Sequence, residues 1–147
     1  MSIFNHENLI QFTVRGNVRS VSIDQKVKVY RNLNKPEQFS VVALDGEFKN
    51  KVIAYGKSIE LNDAYFKVSI KSRERLMREK TRNVHAWCIG RLKDIHNDRI
   101  IKSGEAVTYQ PFIREDFYFE DSLQTAHDIQ FSTATLQGSN VLVTTSL

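Results

Sequence analysis

Short runs in which apolar and polar residues alternate recur from the start of the chain. Phe12 and Val14 alternate with polar neighbours, and Val21 and Ile23 repeat the pattern after Gly16-Asn17. A period of two places apolar side chains on one face of a β-strand. Glycine followed by asparagine suits a type II′ turn between two such strands. The first part of the chain therefore predicts a β-hairpin.

The same alternation continues toward the middle of the chain. Asp45-Gly46 favours a type I′ turn between two of the runs, although Phe48 blurs the register between them. The runs that we interpret as strands are Lys26 to Arg31, Phe39 to Leu44, Lys51 to Tyr55 and Ala64 to Ile70.

The next segment has the pattern of a helix. Ser72 is the expected N-cap, Glu74 lies in the first turn, and residues 74–80 contain good helix formers without glycine or proline. This predicts one helix of about three turns. At about 100° per residue its outward side collects basic residues, and its other side is expected to pack against the sheet. That packing side consists of Ile70, Leu76, Met77 and Val84.

The second half returns to strands. Val84 to Leu92 is too apolar and aromatic for a solvent-facing strand and predicts a central one. Ser122 to His127 is short, largely polar and lacks strand alternation, so it could add one helical turn. The further expected strands are Arg99 to Lys102, Glu105 to Tyr109, Phe117 to Phe119, Ile129 to Leu136 and Val141 to Thr145.

About nine short strands and one helix favour an α+β fold. We expect a mainly antiparallel sheet, strongly bent or barrel-like, with one principal basic helix packed across a face or an open end. The chain has 147 residues, of which 41% are apolar and 26% charged. This is the size and balance of one ordinary globular domain, so residues 1–147 are expected to form a single domain.

The sequence predicts neither a membrane segment nor secretion. Its apolar runs are far shorter than the roughly 18 residues of a membrane-spanning helix. The N-terminal residues lack the basic-then-apolar layout of a signal peptide. The single cysteine, Cys88, cannot form an internal disulfide. We therefore expect a cytoplasmic protein without a membrane partner.

The excess positive charge is concentrated in one segment. Lys71 to Arg82, called the basic segment below, contains six basic and two acidic side chains, a charge of +4. That equals the formal net charge of the whole chain, so the remaining 135 residues are neutral in sum. A concentrated basic surface attracts a polyanion or an acidic partner surface.

Arginine outnumbers lysine four to two in the basic segment. The guanidinium group favours bidentate contacts with phosphate. We therefore predict a nucleic-acid-binding site, with RNA or DNA as the partner. The alternative is the solvated face of an ordinary amphipathic helix. The residues assigned to the predicted site are Lys71, Arg75, Arg78, Arg82, Asn83 and Tyr109.

Two further groups bear on this hypothesis. The segment Ile113 to Asp121 contains four acidic and three aromatic residues, and it could neutralise the basic segment within one chain or across a homodimer. Four aromatic residues could stack on bases or could simply pack within the protein. They are Tyr55, Tyr65, Trp87 and Tyr109.

His85 is the one candidate for catalysis. It follows the basic segment closely, an arrangement that suits a metal-independent ribonuclease in which a histidine exchanges protons and arginines stabilise charge. The alternative is a histidine hydrogen-bonded at a strand end. Cys88 would point to the opposite face of the strand, and no other histidine has close ligand spacing. The sequence therefore predicts no metal site and no cofactor.

Several parts of the chain match a known group of proteins. They are Tyr30 to Leu33, Phe39-Ser40, Val52 to Ala54, Val107 to Phe112 and above all Arg75 to Gly90, with Arg-Asn-Val-His-Ala at its centre. In these parts the chain resembles small uncharacterised proteins of bacteriophages and plasmids. The resemblance implies a mobile-element origin and no specific activity, and it draws attention to Arg75, Arg78, Arg82, Asn83 and His85.

These observations favour a small nucleic-acid-binding accessory or regulatory protein that contacts phosphates through a basic helix. An interaction or inhibitor protein that acts on a host protein is the alternative, with charge complementarity steering the encounter. A metal-independent ribonuclease is the third hypothesis. Motifs for nucleotide hydrolysis, dinucleotide binding and zinc proteolysis are absent from the sequence.

Overall fold

A computed structural model describes residues 9–126 and 128–145. These residues form eleven strands and one helix, which are numbered here in chain order. They are β1 Leu9–Val14, β2 Asn17–Ser22, β3 Lys26–Arg31, β4 Phe39–Ala43, β5 Val52–Gly56, β6 Ser58–Val68, α1 Ile70–Glu79, β7 Ala86–His96, β8 Glu105–Thr108, β9 Tyr118–Phe119, β10 Phe131–Gln137 and β11 Asn140–Thr144.

The described strands pair antiparallel. Nine form one sheet in the order β5-β4-β3-β7-β6-β10-β11-β8-β9, and β1 and β2 form a separate hairpin. Strand β7 lies inside the sheet between β3 and β6, which confirms the central strand predicted for Val84 to Leu92. The hairpin lies against β5, where the rings of Phe12 and Tyr55 meet edge to face at 6.3 Å and Arg19 donates to the carbonyl of Val52.

The predicted α+β fold, with a barrel-like sheet and a principal helix, is wrong. The outermost strands β5 and β9 do not pair with each other, so the described sheet is open. Half of the described residues are strand and 7% are helix. The physical reason is that α1 buries one residue, Leu76, and so cannot form a layer over the sheet. The apolar face of the sheet is covered instead by other strands of the same sheet.

Residues from both ends of the strand order share one core. Phe66 of β6 stacks on Phe117 at 4.4 Å between ring centroids and meets Phe131 of β10 edge to face at 5.7 Å. Arg31 at the end of β3 donates to the carbonyl of Gly138 in the turn between β10 and β11. The sheet therefore folds over on itself without closing. The core includes Val29, Val41, Ile53, Leu61, Leu92, Val107, Leu136 and Val141.

The first hairpin is present, but its turn differs from the prediction. Val14 pairs with Asn17, so the two loop residues are Arg15 and Gly16 rather than Gly16-Asn17. Both have positive φ, 51° and 81°. This is the pattern of a type I′ turn, whose twist matches that of the flanking strands. Val14 and Val21 share a face in either register, and both are buried.

Helix α1 begins three residues before the predicted start. Its N-cap is Ser69, not Ser72, and the Ser69 side chain accepts a hydrogen bond from the Ser72 backbone N–H. Lys80 ends the helix in the left-handed conformation with φ 57°. Ile70, expected on the packing side, is 71% exposed. At ten residues α1 is too short and too polar to cross a membrane, and it is the one helix in the described ranges.

Three other expectations fail locally. The Asp45-Gly46 signal does not make a two-residue turn, because β4 ends at Ala43 and residues 44–51 form a longer loop. Arg99 to Lys102 is not a strand, and Ser122 to Ala126 forms a turn and an isolated bridge instead of helix. His127, the last residue of that stretch, lies outside the described residues.

Candidate functional site

The basic side of α1 faces solvent. Lys71, Arg75 and Arg78 fall on one side of the helix at its regular spacing. The Arg75 side chain is 62% exposed and the Arg78 side chain 70%. The ammonium and guanidinium groups are therefore available to a partner along about two turns of helix.

Glu79 is the counter-ion of both arginines. Its carboxylate accepts a hydrogen bond from Arg75 Nε at 2.8 Å and lies 3.8 Å from Arg78. The hydrogen bond from Arg75, helped by the charges of both arginines, holds the pKa of Glu79 below its usual value. Such exposed pairs are weak and easily exchanged for another anion. One carboxylate shared by two arginines leaves the surface positive.

Arg82 does not continue the helical row. The helix ends at Glu79, and Arg82 lies beyond the cap, where its guanidinium donates to the Leu33 carbonyl at 3.3 Å. The Arg73 side chain is not part of the exposed row, because its guanidinium donates to the Pro111 carbonyl in a partly buried position. The predicted row of Arg75, Arg78 and Arg82 on one helix is thus wrong in part. Below, the basic row means Lys71, Arg75 and Arg78, with Arg82 as a fourth exposed cation next to it.

The ion pairs seen at the basic row lie within α1, where Arg75 and Arg78 both pair with Glu79. Neutralisation of the row by the acidic segment Ile113 to Asp121 within the chain stays a prediction. Within the acidic segment, Arg114 lies over the Tyr118 ring at 5.4 Å. The pairing of this segment with the basic row of another copy stays a prediction.

A cavity of about 240 Å³ lies within the folded-over sheet. Its lining includes Val29 of β3 and Phe39 of β4, together with Val107 of β8 and Val141 of β11. The segment from Asn83 to Cys88, which leads from the basic segment into β7, also lines it. The cavity thus lies directly beside the basic segment, and its lining is mainly apolar.

His85 is positioned in this cavity by Asn83. The imidazole is 7% exposed, and its Nδ1 lies 2.9 Å from Asn83 Oδ1 and 3.1 Å from the Asn83 carbonyl. Both partners are acceptors, so Nδ1 carries the proton and donates. Nε2 is then an acceptor, and it has no hydrogen-bond partner among the described residues. Burial, together with the nearby Arg73 charge, lowers the pKa of His85 and keeps the ring neutral near pH 7.

Tyr109 lies in the cavity rather than on an open surface. Its ring meets His85 edge to face at 5.4 Å and Phe117 at 5.1 Å. Burial raises the pKa of Tyr109 to about 12, even though the charge and hydrogen bond of Arg73 oppose this shift, so the phenol remains protonated. Its hydroxyl is buried beside the Arg73 guanidinium, which can only donate to it, so the hydroxyl proton has no acceptor in the described part of the chain. The structure therefore brings Tyr109, Asn83 and His85 together.

The ribonuclease hypothesis requires His85 and exposed arginines around one phosphate. Arg75 and Arg78 point into solvent and are not part of the cavity wall, whereas His85 is buried in it. Arg73 is the one arginine of the basic segment whose charge acts on His85. The predicted catalytic arrangement is therefore not assembled from the expected arginines.

A basic and aromatic face of the sheet was recognised only in part from the sequence, which named Tyr65 and Trp87 as stacking candidates but not the lysines beside them. Lys67 of β6 pairs with Trp87 of β7, and Tyr65 pairs with Ile89, so these side chains share a face. Lys28 of β3 lies over the Trp87 ring at 4.7 Å. Neither Lys28 nor Lys67 forms an ion pair with a described carboxylate. The signal was the alternation of lysine with apolar residues in the predicted strands.

A buried polar cluster lies at the far end of β7. His96 Nε2 is 2.8 Å from Glu60 Oε2 and 3.7 Å from Asp94, and Lys102 Nζ is 2.9 Å from Glu60 Oε1. The carboxylates of Glu60 and Asp94 and the imidazole of His96 are donor types that occur in metal sites. Lys102 already supplies a positive charge to Glu60, which favours an ion-pair network. Sequence spacing could not reveal this cluster because Glu60 and Lys102 are distant along the chain.

Comparison with known proteins identifies the family. Residues 20–141 match the family model described as Mycobacterium phage L5 gene 82 protein. One relative, the gene 82 protein of Mycobacterium phage L5, is 30% identical over 97 residues, which cover 63% of this chain and 75% of the relative. No solved structure matches the chain. The expected phage origin is confirmed: the chain belongs to the family of the Mycobacterium phage L5 gene 82 protein.

Proposed function

We propose that this phage protein is a small nucleic-acid-binding accessory or regulatory protein. Its basic row, Lys71, Arg75 and Arg78, contacts phosphates together with Arg82. The observation that carries the proposal is the exposure of Arg75 and Arg78, 62% and 70%, with one shared carboxylate between them. Phosphate can displace so weak a surface pair, because the exposed Glu79 loses little by returning to water.

The sheet face around Trp87 supports the same proposal. Lys28 and Lys67 provide cations on either side of an indole ring, and Tyr65 on the same face is 37% exposed. Aromatic rings flanked by basic residues on an open sheet are a common platform for single-stranded nucleic acid, since bases stack on the rings while the cations follow the backbone. A single strand is therefore the preferred partner over a duplex.

The test is a binding titration against salt. Labelled single-stranded RNA, single-stranded DNA and duplexes are titrated by fluorescence anisotropy between about 50 and 200 mM salt. With four to six phosphate contacts, log K is expected to fall against log salt with a slope of about −3 to −5. Arg78→Ala should reduce the magnitude of the slope by about 1, because one phosphate contact is lost.

Lys49→Ala is the matched control. Lys49 is an exposed cation in the loop between β4 and β5, so its loss changes the net charge equally but not the proposed contact surface. The control should retain the wild-type slope. Absence of binding to all of these nucleic acids, or a complex insensitive to salt, would refute the proposal. The host-protein alternative would then be pursued at the exposed Phe112 and Ile113, which are 68% and 71% exposed.

A further inference from the structure

We infer that the cavity beside the basic segment binds a single unstacked nucleobase carrying a phosphate. This inference rests on the proposed function for the source of the base, a nucleic-acid strand, but not for the chemistry of the cavity. The cavity volume, about 240 Å³, lies below the roughly 300 to 1,000 Å³ of pockets for drug-sized ligands. A base with its sugar is of the size that such a cavity holds.

Two buried polar atoms in the cavity define what the occupant must offer. His85 Nε2 is an acceptor without a hydrogen-bond partner among the described residues, and the Tyr109 hydroxyl, which lies beside the donor Arg73, keeps its proton for an acceptor. Leaving such atoms unpaired in a buried site costs about 1 to 3 kcal/mol each. Both are satisfied by a ligand that has a donor and an acceptor on one edge. Each of the four common bases has such an edge, which is how unstacked bases are recognised in RNA-binding proteins.

The walls of the cavity suit a flat ring. Phe66 and Phe117 stack on each other in the lining, with ring centroids 4.4 Å apart and ring planes 22° apart, and Phe39 also lines the cavity. Aromatic side chains stack on bases at a gain of about 1 to 3 kcal/mol per base. An aliphatic occupant would fill the same space but would leave His85 Nε2 and the Tyr109 hydroxyl proton unpaired.

The charges around the cavity favour an anionic ligand. No aspartate or glutamate lines it among the described residues, so a cationic occupant would find no counter-ion. Arg31 lines the cavity and is held by the carbonyls of Pro36 and Gly138, with no ion pair to a described carboxylate. Arg82 binds the carbonyl of Leu33, another lining residue. A phosphate attached to the base would contact the guanidinium groups of Arg31 and Arg82, and the next phosphates of a strand would contact the basic row.

The experiment is an NMR titration of the isotope-labelled full chain. One arm uses the nucleotides AMP, GMP, CMP and UMP, and a second arm uses a short single strand with and without one abasic position. We expect resonances of His85 and Tyr109 to shift in both arms. The strand with the abasic position should bind more weakly than the intact strand, because it lacks the base that enters the cavity.

Tyr109→Phe removes the donor hydroxyl and keeps the ring that packs on His85 and Phe117. It should weaken binding about three- to tenfold, which corresponds to one lost hydrogen bond. Tyr118→Phe, which also removes the hydroxyl of a buried tyrosine but lies outside the cavity lining, is the matched control and should bind like the wild type. Equal affinities of Tyr109→Phe and wild type would overturn the inference.

The arms separate the two proposals. A strand that binds through the basic row without moving His85 or Tyr109, and equally well when abasic, overturns the cavity inference and leaves the proposed function intact. Mononucleotides that shift the cavity residues while no strand binds overturn the proposed function and identify a free nucleotide as the ligand. If neither nucleotides nor strands shift the cavity residues, the inference is refuted.

Discussion

Asn83 fixes the proton of His85. Its Oδ1 accepts from His85 Nδ1 at 2.9 Å, and its Nδ2 donates to the Ser72 carbonyl at 2.9 Å, which sets the orientation of the amide. The Ser72 carbonyl of the helix thus fixes the orientation of the Asn83 amide, and the amide oxygen fixes the tautomer of His85. In that tautomer Nε2 is the hydrogen-bond acceptor of a residue that lines the cavity. The basic segment and the cavity are therefore parts of one arrangement, linked through Ser72.

Asn83→Asp should raise the pKa of His85. In the wild type burial holds this pKa below its usual value of 6.5, with a contribution from the Arg73 charge. A carboxylate beside Nδ1 would stabilise the imidazolium and raise the pKa by about 1 unit or more. The pKa is measured by following the His85 ring resonances with pH. Asn17→Asp, on the first hairpin, is the control and should leave it unchanged. An unchanged His85 pKa in Asn83→Asp would contradict the described contact.

Ser69→Ala should destabilise the protein by about 1 kcal/mol, because it removes the N-cap acceptor of α1. Ser72→Ala should cost less than about 0.5 kcal/mol, since the backbone N–H and carbonyl of residue 72 make the contacts and remain. Urea denaturation of both variants measures the free energies of unfolding. A larger cost for Ser72→Ala would place the start of the helix at the position predicted from the sequence.

That comparison shows where local patterns reach their limit. Alternation correctly located β3 at Lys26–Arg31, because a half-buried strand has a period of two. The apolar and aromatic run Val84 to Leu92 located the central strand, although β7 spans Ala86–His96. Both Ser69 and Ser72 are suitable caps, and the sequence alone does not decide between them. The prediction chose Ser72 and assumed that Ile70 would be buried. In the structure Ser69 is the N-cap, and Ile70 is the exposed first residue of the helix.

The fold class and the cavity depend on long-range contacts. Whether a bent sheet closes is decided by the pairing of strands far apart in sequence, and here β5 and β9 remain apart. The cavity lies among strands that are distant along the chain, including β3, β7 and β8. Asn83, His85 and Tyr109, which line the cavity, were all named from the sequence. Their proximity was not predictable, because Tyr109 follows β8 and the position of β8 depends on its pairing with the distant strand β11.

Gly90→Ala should destabilise the protein by about 2 to 3 kcal/mol. A Cβ at Gly90 would lie 2.8 Å from the Asn62 carbonyl oxygen and 3.1 Å from Leu61 Cβ, in the bulged part of β6. Backbone cannot move away cheaply within a central strand pair. Gly46→Ala is the control, since its φ of +79° is unfavourable for alanine but the space around it is open. It should cost about 1 kcal/mol. Thermal unfolding that ranks Gly46→Ala as the more damaging variant would argue against the tight approach at Gly90.

Glu60 should make stability depend on pH in the acid range. Burial raises the pKa of Glu60, but the hydrogen bonds and charges of Lys102 and His96 outweigh burial, so the pKa lies below its usual value of 4.5. As the pH falls below about 4.5, the unfolded chain binds a proton before the folded protein does. The stabilisation by ionised Glu60 is therefore present above that pH and is lost as the pH falls through the folded-state pKa.

Glu60→Gln removes this titration and one partner of the cluster. It should lower the free energy of unfolding by about 2 kcal/mol at pH 7, less than the roughly 3 to 5 kcal/mol of a fully buried pair, because the Lys102 side chain is 35% exposed. Below about pH 4 the difference from wild type should shrink, because the wild-type carboxylate is then being protonated. Urea denaturation at several pH values gives both curves. Glu47→Gln, at an exposed loop position, should follow the wild type throughout. Parallel curves for Glu60→Gln and wild type would show that the Glu60 carboxylate is not held ionised by Lys102 and His96.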